Sequence, residues 1–223
     1  MTSSIRVVLA DDQDLFRAGI AAIVDAQPDM EVVGQAADGA EAVLLVDEQS
    51  PDIVLMDNRM PHTDGVEATQ LIFSPDRVSH RDRIVRVVIL TTFNLDERAA
   101  TAIRHGASGF LLKYVTPEML CQAIRTVHAG NAVLSPTDLT TLMSATFAEP
   151  RVLPDGYHEL TDREREVFDA VARGLSNAEI AEEILSSEST VKTHVGGILR
   201  KLGLRDRVQI VVYSHEHGIT STV

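Results

Sequence analysis

Apolar residues along the first 130 positions fall into two alternating patterns. Five short runs carry Val, Ile and Leu at consecutive positions, which indicates strands buried on both faces of a parallel sheet. These predicted strands are Ile5–Ala10, Glu31–Ala36, Asp52–Met56, Val85–Thr91 and Ser108–Leu112. Between them, apolar residues recur with the 3.6-residue period of amphipathic helices. The predicted helices are Leu15–Ala26, Gly39–Gln49, Gly65–Ile72, Asp96–His105 and Pro117–Ala129. The pattern predicts the α/β class, with a doubly wound, five-stranded parallel sheet and helices on both faces.

Two helix starts support this interpretation. The stretch from Asp38 to Glu41 has the form of a capping box, in which two side chains satisfy each other's backbone N–H groups. Thr116 stands before Pro117, so a capping residue precedes proline at the first helical position.

The alternation of strands and helices stops after Asn131. Residues 132–157 contain three prolines and one possible helix, Asp138–Phe147, and we interpret them as a linker between residues 1–131 and 158–223. The final segment predicts an all-α domain of four helices. They are Asp162–Arg173, Asn177–Leu185, a helix capped by Ser187 that ends near Leu202, and Arg205–His217. Capping boxes at Thr161–Glu164 and Ser176–Glu179 open the first two.

The second and third of these helices are joined by a tight turn, which is typical of a helix-turn-helix. On the third helix, Val191, Val195 and Ile198 share one apolar face. The opposite face is small, polar or basic, which suits a helix that enters the DNA major groove. It carries Ser189, Thr193, Gly196, Gly197 and Arg200, flanked by Lys192. Periodicity alone fits an ordinary solvent-facing helix equally well.

Charge and composition narrow the classes of function. The net charge of −13 disfavours nucleic acid, but Ser189–Arg207 holds five basic residues against Asp206 alone. A local basic stretch of this kind is compatible with DNA binding. No apolar run reaches the length of a membrane span, and the N-terminus lacks the pattern of a signal peptide. The single cysteine, Cys121, excludes an intramolecular disulfide and fits a cytoplasmic protein without membrane partners.

Chemically active side chains stand where the predicted strands end. Asp11 and Asp12 follow the first strand, Asp57 the third, Thr91 the fourth and Lys113 the fifth. The carboxyl ends of parallel strands meet at one edge of a sheet, so these groups are expected to converge. Clustered carboxylates repel each other unless a cation joins them, and oxygen ligands favour Mg²⁺. A carboxylate beside Mg²⁺ can attack a phosphoryl group and form an aspartyl-phosphate.

The runs VVLADDQ, DIVLMDNRMPHTDG, VVILTTF and ASGFLLK resemble the receiver domain of two-component response regulators, which has a flavodoxin-like fold. The resemblance implies that Asp57 is the phosphoacceptor. It implies further that Asp12, Asp57 and the backbone carbonyl of Arg59 bind Mg²⁺, while Asp11 orders the metal's water shell. Thr91 and Lys113 would contact the phosphoryl group, and Phe110 would occupy the aromatic switch position.

Three segments depart from the receiver pattern. Asn58 stands where the family usually has an apolar residue, and Tyr114-Val115 replaces the usual start of the last loop. The stretch between Phe73 and Ile84 is longer and more basic than the usual connector. We interpret it as an exposed loop, more consistent with a surface insertion than with a partner contact.

The run from Leu160 to Gly218 resembles the LuxR-type helix-turn-helix of the NarL/FixJ class of response regulators. The resemblance implies that Lys192 and Thr193 read bases, with Thr190 and Arg200 at phosphates. It also implies that the last helix forms the dimer contact through Val208, Val211 and Val212. Gly196 and Gly197 depart from the family, where larger polar or basic residues are common, so the DNA specificity does not carry over.

The two resemblances together predict a DNA-binding transcriptional regulator that is not an enzyme. A sensor histidine kinase would phosphorylate Asp57, and phosphorylation would favour a homodimer on double-stranded DNA. One alternative is a Mg²⁺-dependent phosphatase, but Arg59 stands where such an enzyme would need an acid. A second is a regulator of the same architecture that works without phosphorylation, which Asn58, Tyr114 and Val115 leave open.

Overall fold

The computed structural model describes residues 4–81, 83–92, 97–131 and 155–219. The chain divides into two compact units, Met1–Ala129 and Gly130–Val223. The first contains five strands: β1 (Ile5–Ala10), β2 (Met30–Ala36), β3 (Ile53–Asp57), β4 (Arg86–Thr91) and β5 (Gly109–Leu112). Its helices are α1 (Asp14–Asp25), α2 (Gly39–Gln49), α3 (Gly65–Ile72), α4 (Pro75–Val78), α5 (Glu97–Arg104) and α6 (Pro117–His128). The predicted α/β class and the five predicted strands are confirmed.

All strand pairs are parallel, in the order β2-β1-β3-β4-β5. The chain moves from β1 to one side for β2 and then to the other side for β3, so the order reverses between β1 and β3. In open parallel sheets, such a reversal leaves a crevice beyond the carboxyl ends of the two strands. The register pairs Ala10 with Met56, which places Asp11 and Asp57 next to each other at that crevice.

The strands lie in the core of this unit because their side chains are apolar on both faces. All five residues of β3 are buried, and Val7, Val8, Val54 and Val87 have no exposed surface. Burial of such side chains stabilises the sheet by roughly 1.5–3 kcal/mol each. The packed sheet therefore fixes the backbone positions of the polar residues at the carboxyl ends of the strands.

Side-chain caps fix the helix starts, with one departure from the predicted pattern. Asp38 accepts a hydrogen bond from the backbone N–H of Glu41 at 2.9 Å, as expected. The Glu41 carboxylate, however, accepts from the N–H of Ala37 and not from that of Asp38. Only one of the two hydrogen bonds of the predicted capping box is therefore formed. The backbone before α2 places the N–H of Ala37, and not that of Asp38, against the Glu41 carboxylate. Thr116 caps α6 as predicted, accepting from Met119.

The segment between Phe73 and Ile84 is not simply the exposed loop that the sequence predicts. It contains α4, and both Arg77 and Arg81 form ion pairs with Asp47 at the end of α2. Arg81 also donates to the carbonyl of Ile72, and its side chain is 11% exposed. The extra basic residues therefore hold this segment against the body of the unit, which the composition alone did not indicate.

The second unit is helical, as predicted, and its helices are α7 (Asp155–His158), α8 (Asp162–Ala172), α9 (Asn177–Glu183), α10 (Glu188–Leu202) and α11 (Arg207–Glu216). Both predicted capping boxes are present, at Thr161 and Ser176. Helix α7 begins within the predicted linker, residues 132–157, and the predicted helix Asp138–Phe147 lies outside the described residues. Phe168 is fully buried, with the rings of Tyr157 and Tyr213 edge-on at 5.3 and 6.1 Å.

An ionic contact fastens α8 to α10 at one edge of this core. The Glu164 carboxylate accepts from the Lys201 ammonium at 2.6 Å and from the backbone N–H of Thr161 at 2.8 Å. Burial opposes ionisation of Glu164, but these donors outweigh it and lower the pKa of the carboxyl to about 2. The two helices are therefore joined by a charge pair as well as by apolar packing.

The two glycines of α10 have different surroundings, which corrects the sequence interpretation. Both were placed on the face expected to meet DNA. A Cβ on Gly196 would meet nothing within 4 Å, whereas one on Gly197 would lie 2.7 Å from Glu164 Oε1. Gly197 thus faces the neighbouring helix and leaves room for the carboxylate. The helical period does not separate Gly197 from the exposed residues, since it follows Thr193 by four positions on the same stripe. The contact with Glu164 of α8 makes the difference.

We expect Gly196→Ala to stabilise the second unit by up to about 1 kcal/mol, the usual gain over glycine in a helix interior. Gly197→Ala should give a smaller gain or a loss, because its methyl group displaces the Glu164 carboxylate and weakens bonds worth roughly 1 kcal/mol or more. Urea denaturation of the two variants and the wild type measures this order. Equal gains would show that the carboxylate moves without cost.

The same pair of variants carries a pH control. Glu164 has a lowered pKa in the folded state, so its stabilisation is present above about pH 4.5 and is lost as the pH falls towards 2. The stability difference between Gly196→Ala and Gly197→Ala should shrink over that range. A difference that is independent of pH would assign the cost to packing and not to the carboxylate.

Candidate functional sites

Three carboxylates converge at the crevice between β1 and β3. Asp11 and Asp12 follow β1 directly, and Asp57 is the last residue of β3. One oxygen atom from each lies within 4.8 Å of the others. Asp11 is 3% and Asp57 6% exposed, while Asp12 is open to solvent. The predicted convergence of these residues is what the fold produces.

The ammonium of Lys113, which follows β5, is inserted among these carboxylates. Its Nζ lies 2.6 Å from Asp11 Oδ2 and 3.0 Å from Asp57 Oδ2, and the side chain is 6% exposed. The ring of Phe16 on α1 lies alongside, with its centroid 4.7 Å from Nζ. A cation beside an aromatic face gains electrostatic stabilisation. Sequence reasoning missed Phe16, whose only signal was an aromatic residue one helical turn after the acidic pair.

Burial and charge act in opposite directions at this cluster. Burial raises the pKa of the Asp57 carboxyl, the Lys113 ammonium lowers it, Asp11 raises it again, and the net shift is upward. Burial lowers the pKa of Lys113, but its bonds to Asp11 and Asp57 more than compensate, and the net shift is again upward. One ammonium is therefore shared by two of the three carboxylates, and the cluster keeps an excess of negative charge.

The backbone around Asp57 is held by close contacts. The N–H of Asn58 donates to the carbonyl of Leu90 at 3.0 Å, and its carbonyl accepts from the N–H of Gly65 at 3.3 Å. The backbone N–H of Arg59 also donates to the Asp57 carboxylate, which lowers its pKa. A Cβ on Gly65 would lie 2.2 Å from the Asp57 carbonyl oxygen, so only glycine lets the start of α3 approach this closely.

A cavity of about 170 Å³ opens next to the carboxylates. Its lining includes two of the acids and the two predicted phosphoryl contacts. The lining residues are Asp12, Gln13, Asp57, Asn58, Arg59, Thr91, Thr92 and Lys113. Phe110 is not among them: it lies half-buried on β5, opposite Ile89 of β4 in the register. The structure thus brings together every predicted receiver residue except Phe110. Asp11 does not line the cavity, but it belongs to the carboxylate cluster beside it.

These residues fit a hard divalent cation. The donors are carboxylate oxygens, which Mg²⁺ prefers, and the cavity leaves room for the waters that Mg²⁺ usually retains. The surplus negative charge gives such a cation an electrostatic reason to bind. The buried amide oxygen of Asn58 also has no hydrogen-bond partner among the described residues.

The predicted DNA contacts lie on one exposed surface of α10. Thr190, Lys192, Thr193 and Arg200 are all solvent-exposed. The hydroxyl of Thr193 donates to the carbonyl of Ser189 at 3.0 Å, and the N–H of Thr190 donates to the capping hydroxyl of Ser187. Val191, Val195 and Ile198 are buried, as the periodicity predicted.

The residues predicted for the dimer contact lie on α11 and are buried in the single chain. Val208, Val211 and Val212 are 0%, 2% and 3% exposed. Helix α11 buries residues on most of its circumference, including Arg207 and His215. The dimer contact stays a prediction.

Known proteins match both units. A family model described as the response regulator receiver domain matches residues 7–125, and one described as bacterial regulatory proteins of the luxR family matches residues 158–214. The chain is 39% identical to the transcriptional regulatory protein LnrK of Bacillus subtilis (strain 168), over 97% of this chain and 99% of LnrK. It is 34% identical to the nitrate/nitrite response regulator protein NarL of Escherichia coli (strain K12), over 96% of both chains.

Among solved structures, the response regulator ChrA of a heme-sensing two-component system is 32% identical. The match covers 97% of this chain and 99% of ChrA, with a TM-score of 0.50. The fold and the site thus define a receiver domain followed by a DNA-binding helix-turn-helix. The chain belongs to the NarL/FixJ class of response regulators, which are transcriptional regulators and not enzymes. This membership decides against the phosphatase alternative. None of the described helices combines the length and the apolar character of a membrane span.

The raised pKa of Asp57 predicts the stability of the metal-free protein. Because the pKa of Asp57 is higher in the folded than in the unfolded protein, protonation of this carboxyl stabilises the fold. The stabilisation is complete below about pH 3.8 and is lost as the pH rises through the folded-state pKa. Asp57→Asn keeps the shape and removes the charge, so its melting temperature at pH 7 in EDTA should exceed that of the wild type. The gap should narrow as the pH falls towards 4. A variant less stable than the wild type at pH 7 would show that Lys113 outweighs burial.

Proposed function

We propose that this protein is a transcriptional regulator switched by phosphorylation of Asp57. A sensor histidine kinase would donate the phosphoryl group from a phosphohistidine, and the modified protein would bind double-stranded DNA as a homodimer in the cytoplasm. The observation that carries the proposal is the Lys113 ammonium, held between Asp11 and Asp57 beside an open cavity.

The geometry favours Asp57 over its neighbours as the nucleophile. Asp11 does not line the cavity, and its two carboxylate oxygens are engaged with the N–H of Gln13 at 2.9 Å and with Lys113. Asp12 is exposed, so water solvates its carboxylate and the site does not make it a better nucleophile. Asp57 is largely desolvated and lines the cavity. An oxygen of its carboxylate would form a bond to phosphorus while the bond from phosphorus to the histidine nitrogen breaks.

The remaining residues have roles in holding charge. The carboxylates of Asp12 and Asp57 and the backbone carbonyl of Arg59 would hold Mg²⁺, with Asp11 acting through water. When bound, the metal neutralises charge between the carboxylates and the incoming phosphoryl group. Lys113 would pair with a phosphoryl oxygen, and the Thr91 hydroxyl would donate to another.

Phosphorylation would then change the protein's surface through the β4 and β5 ends. Thr91 lies at the cavity and Phe110 on the adjacent strand, so a shift of the threonine towards the phosphoryl group would allow the half-buried ring to change position. A dimer formed in this way would place two copies of α10 on half-sites about one helical turn apart.

Incubation with acetyl phosphate and Mg²⁺ tests the acceptor. Asp57→Asn should take up no phosphoryl group, because it lacks the nucleophile, while the fold is retained. Asp12→Asn is the matched control: it weakens the metal site but keeps Asp57, so labelling should be slower and still occur. Phos-tag electrophoresis follows both. Stoichiometric labelling of Asp57→Asn would identify another acceptor.

Two variants on α10 separate base reading from phosphate contact. Lys192→Ala should weaken binding to the specific duplex by roughly 1–3 kcal/mol and relax discrimination against a scrambled duplex. Arg200→Ala should weaken both duplexes to a similar extent and reduce the slope of log affinity against log salt by about one unit. DNA footprinting first identifies a sequence that the protein protects. Titrations of a duplex with that sequence and of a scrambled duplex, at several salt concentrations, then measure these effects. Equal weakening of both duplexes by Lys192→Ala would make Lys192 a phosphate contact.

A further inference from the structure

Asn58 is a buried polar residue with one unsatisfied side-chain atom in the part of the chain that the structure describes. It is 3% exposed, and its Oδ1 has no hydrogen-bond partner among the described residues. Buried polar groups in folded proteins almost always have a partner, so an exception calls for a specific reason. An apolar residue of similar size would remove the cost of this atom, and its presence next to Asp57 points to a function.

The backbone fixes the position of this residue and leaves only the side chain adjustable. The Asn58 N–H and carbonyl are bonded to Leu90 on one side and to Gly65 on the other. The residue lines the same cavity as Asp12, Asp57 and Lys113. The terminal torsion of asparagine has broad minima, so the amide oxygen can turn towards that cavity.

An amide oxygen is an acceptor and requires a donor. The carboxylates of Asp12 and Asp57 are acceptors when ionised, and the Lys113 ammonium is already bonded to Asp11 and Asp57. Phosphoryl oxygens are also acceptors. Four other lining residues carry side-chain donors, but none of them bonds to the Asn58 oxygen in this structure: Gln13, Arg59, Thr91 and Thr92. A water in the cavity can supply the donor. A water bound to a divalent cation is a stronger donor than a free one because the cation polarises its O–H bonds.

We propose that Asn58 is a positioning residue for the cation site, and that its amide oxygen accepts a hydrogen bond from a water in the first hydration shell of the bound Mg²⁺. This inference rests on the proposed function, since it presumes the cation among Asp11, Asp12 and Asp57. The inference goes beyond the proposed function because it gives a role to Asn58, a residue outside the set of carboxylates. The unsatisfied amide destabilises the cation-free protein and gains its partner when the cation binds.

Opposite effects on stability and on cation affinity follow from this role. Asn58→Leu should melt at the same or a higher temperature than the wild type in EDTA, because a buried unsatisfied acceptor is removed. The same variant should bind Mg²⁺ about 2- to 10-fold more weakly, the ratio that corresponds to one net hydrogen bond. A residue that only supports the fold would change the two quantities in the same direction.

The experiment is a titration of the isotopically labelled full chain with MgCl₂ alone, followed by amide chemical shifts, with melting curves in EDTA. Asn58→Asp is the matched control, since it keeps an acceptor oxygen and adds charge, and should bind Mg²⁺ at least as tightly as the wild type. Asn58→Ala replaces Asn58→Leu if leucine does not fit, with the same expectation for Mg²⁺. Unchanged Mg²⁺ affinity in the apolar variants would overturn the role of Asn58 and leave the cation site intact. Absence of Mg²⁺ binding by the wild type would overturn both.

Discussion

The Lys113 ammonium between Asp11 and Asp57 is the interaction on which the receiver unit depends. It joins the end of β5 to the ends of β1 and β3, and it is the counter-ion of two buried carboxylates. Removing the ammonium would leave both carboxylates without a counter-ion, and an uncompensated buried charge of this kind costs about 3–5 kcal/mol. The pair is also incomplete, because one ammonium cannot neutralise three carboxylates. In the proposed function, a cation would neutralise that remaining charge before a phosphoryl group enters.

The fold positions this cluster with little freedom. The sheet is apolar on both faces, and its strand order reverses between β1 and β3, which places the crevice where the acids emerge. Gly65 allows α3 to start against the Asp57 carbonyl, and the hydrogen bonds of Asn58 hold the turn between them. A rigid backbone with an unbalanced charge at its edge is suited to a switch, because a change in charge there can be relieved only by movement of nearby side chains.

Much of this arrangement follows from local sequence. Strand ends such as Asp57 and Lys113 were predicted because parallel strands converge at one edge, and the helix starts at Thr161 and Ser176 because capping boxes are local. Other features depend on distant contacts. Nothing in the neighbourhood of Gly197 indicates that Glu164 lies against it, and the valines of α11 look the same as core or as interface. Arg77 and Arg81 read as exposed basic residues until Asp47 is placed beside them, and the unsatisfied amide of Asn58 is visible only in three dimensions.

We propose that phosphoryl chemistry at the edge of the sheet controls assembly on DNA. The decisive measurement is sedimentation of the full chain with a DNA duplex that the protein protects in footprinting, before and after treatment with acetyl phosphate and Mg²⁺. The treated wild type should sediment as a complex of two chains per duplex at protein concentrations where the untreated protein remains unbound, and Asp57→Asn should not respond. The same stoichiometry and affinity with and without phosphorylation would rule out this control, and would favour a regulator of this architecture that works without phosphate.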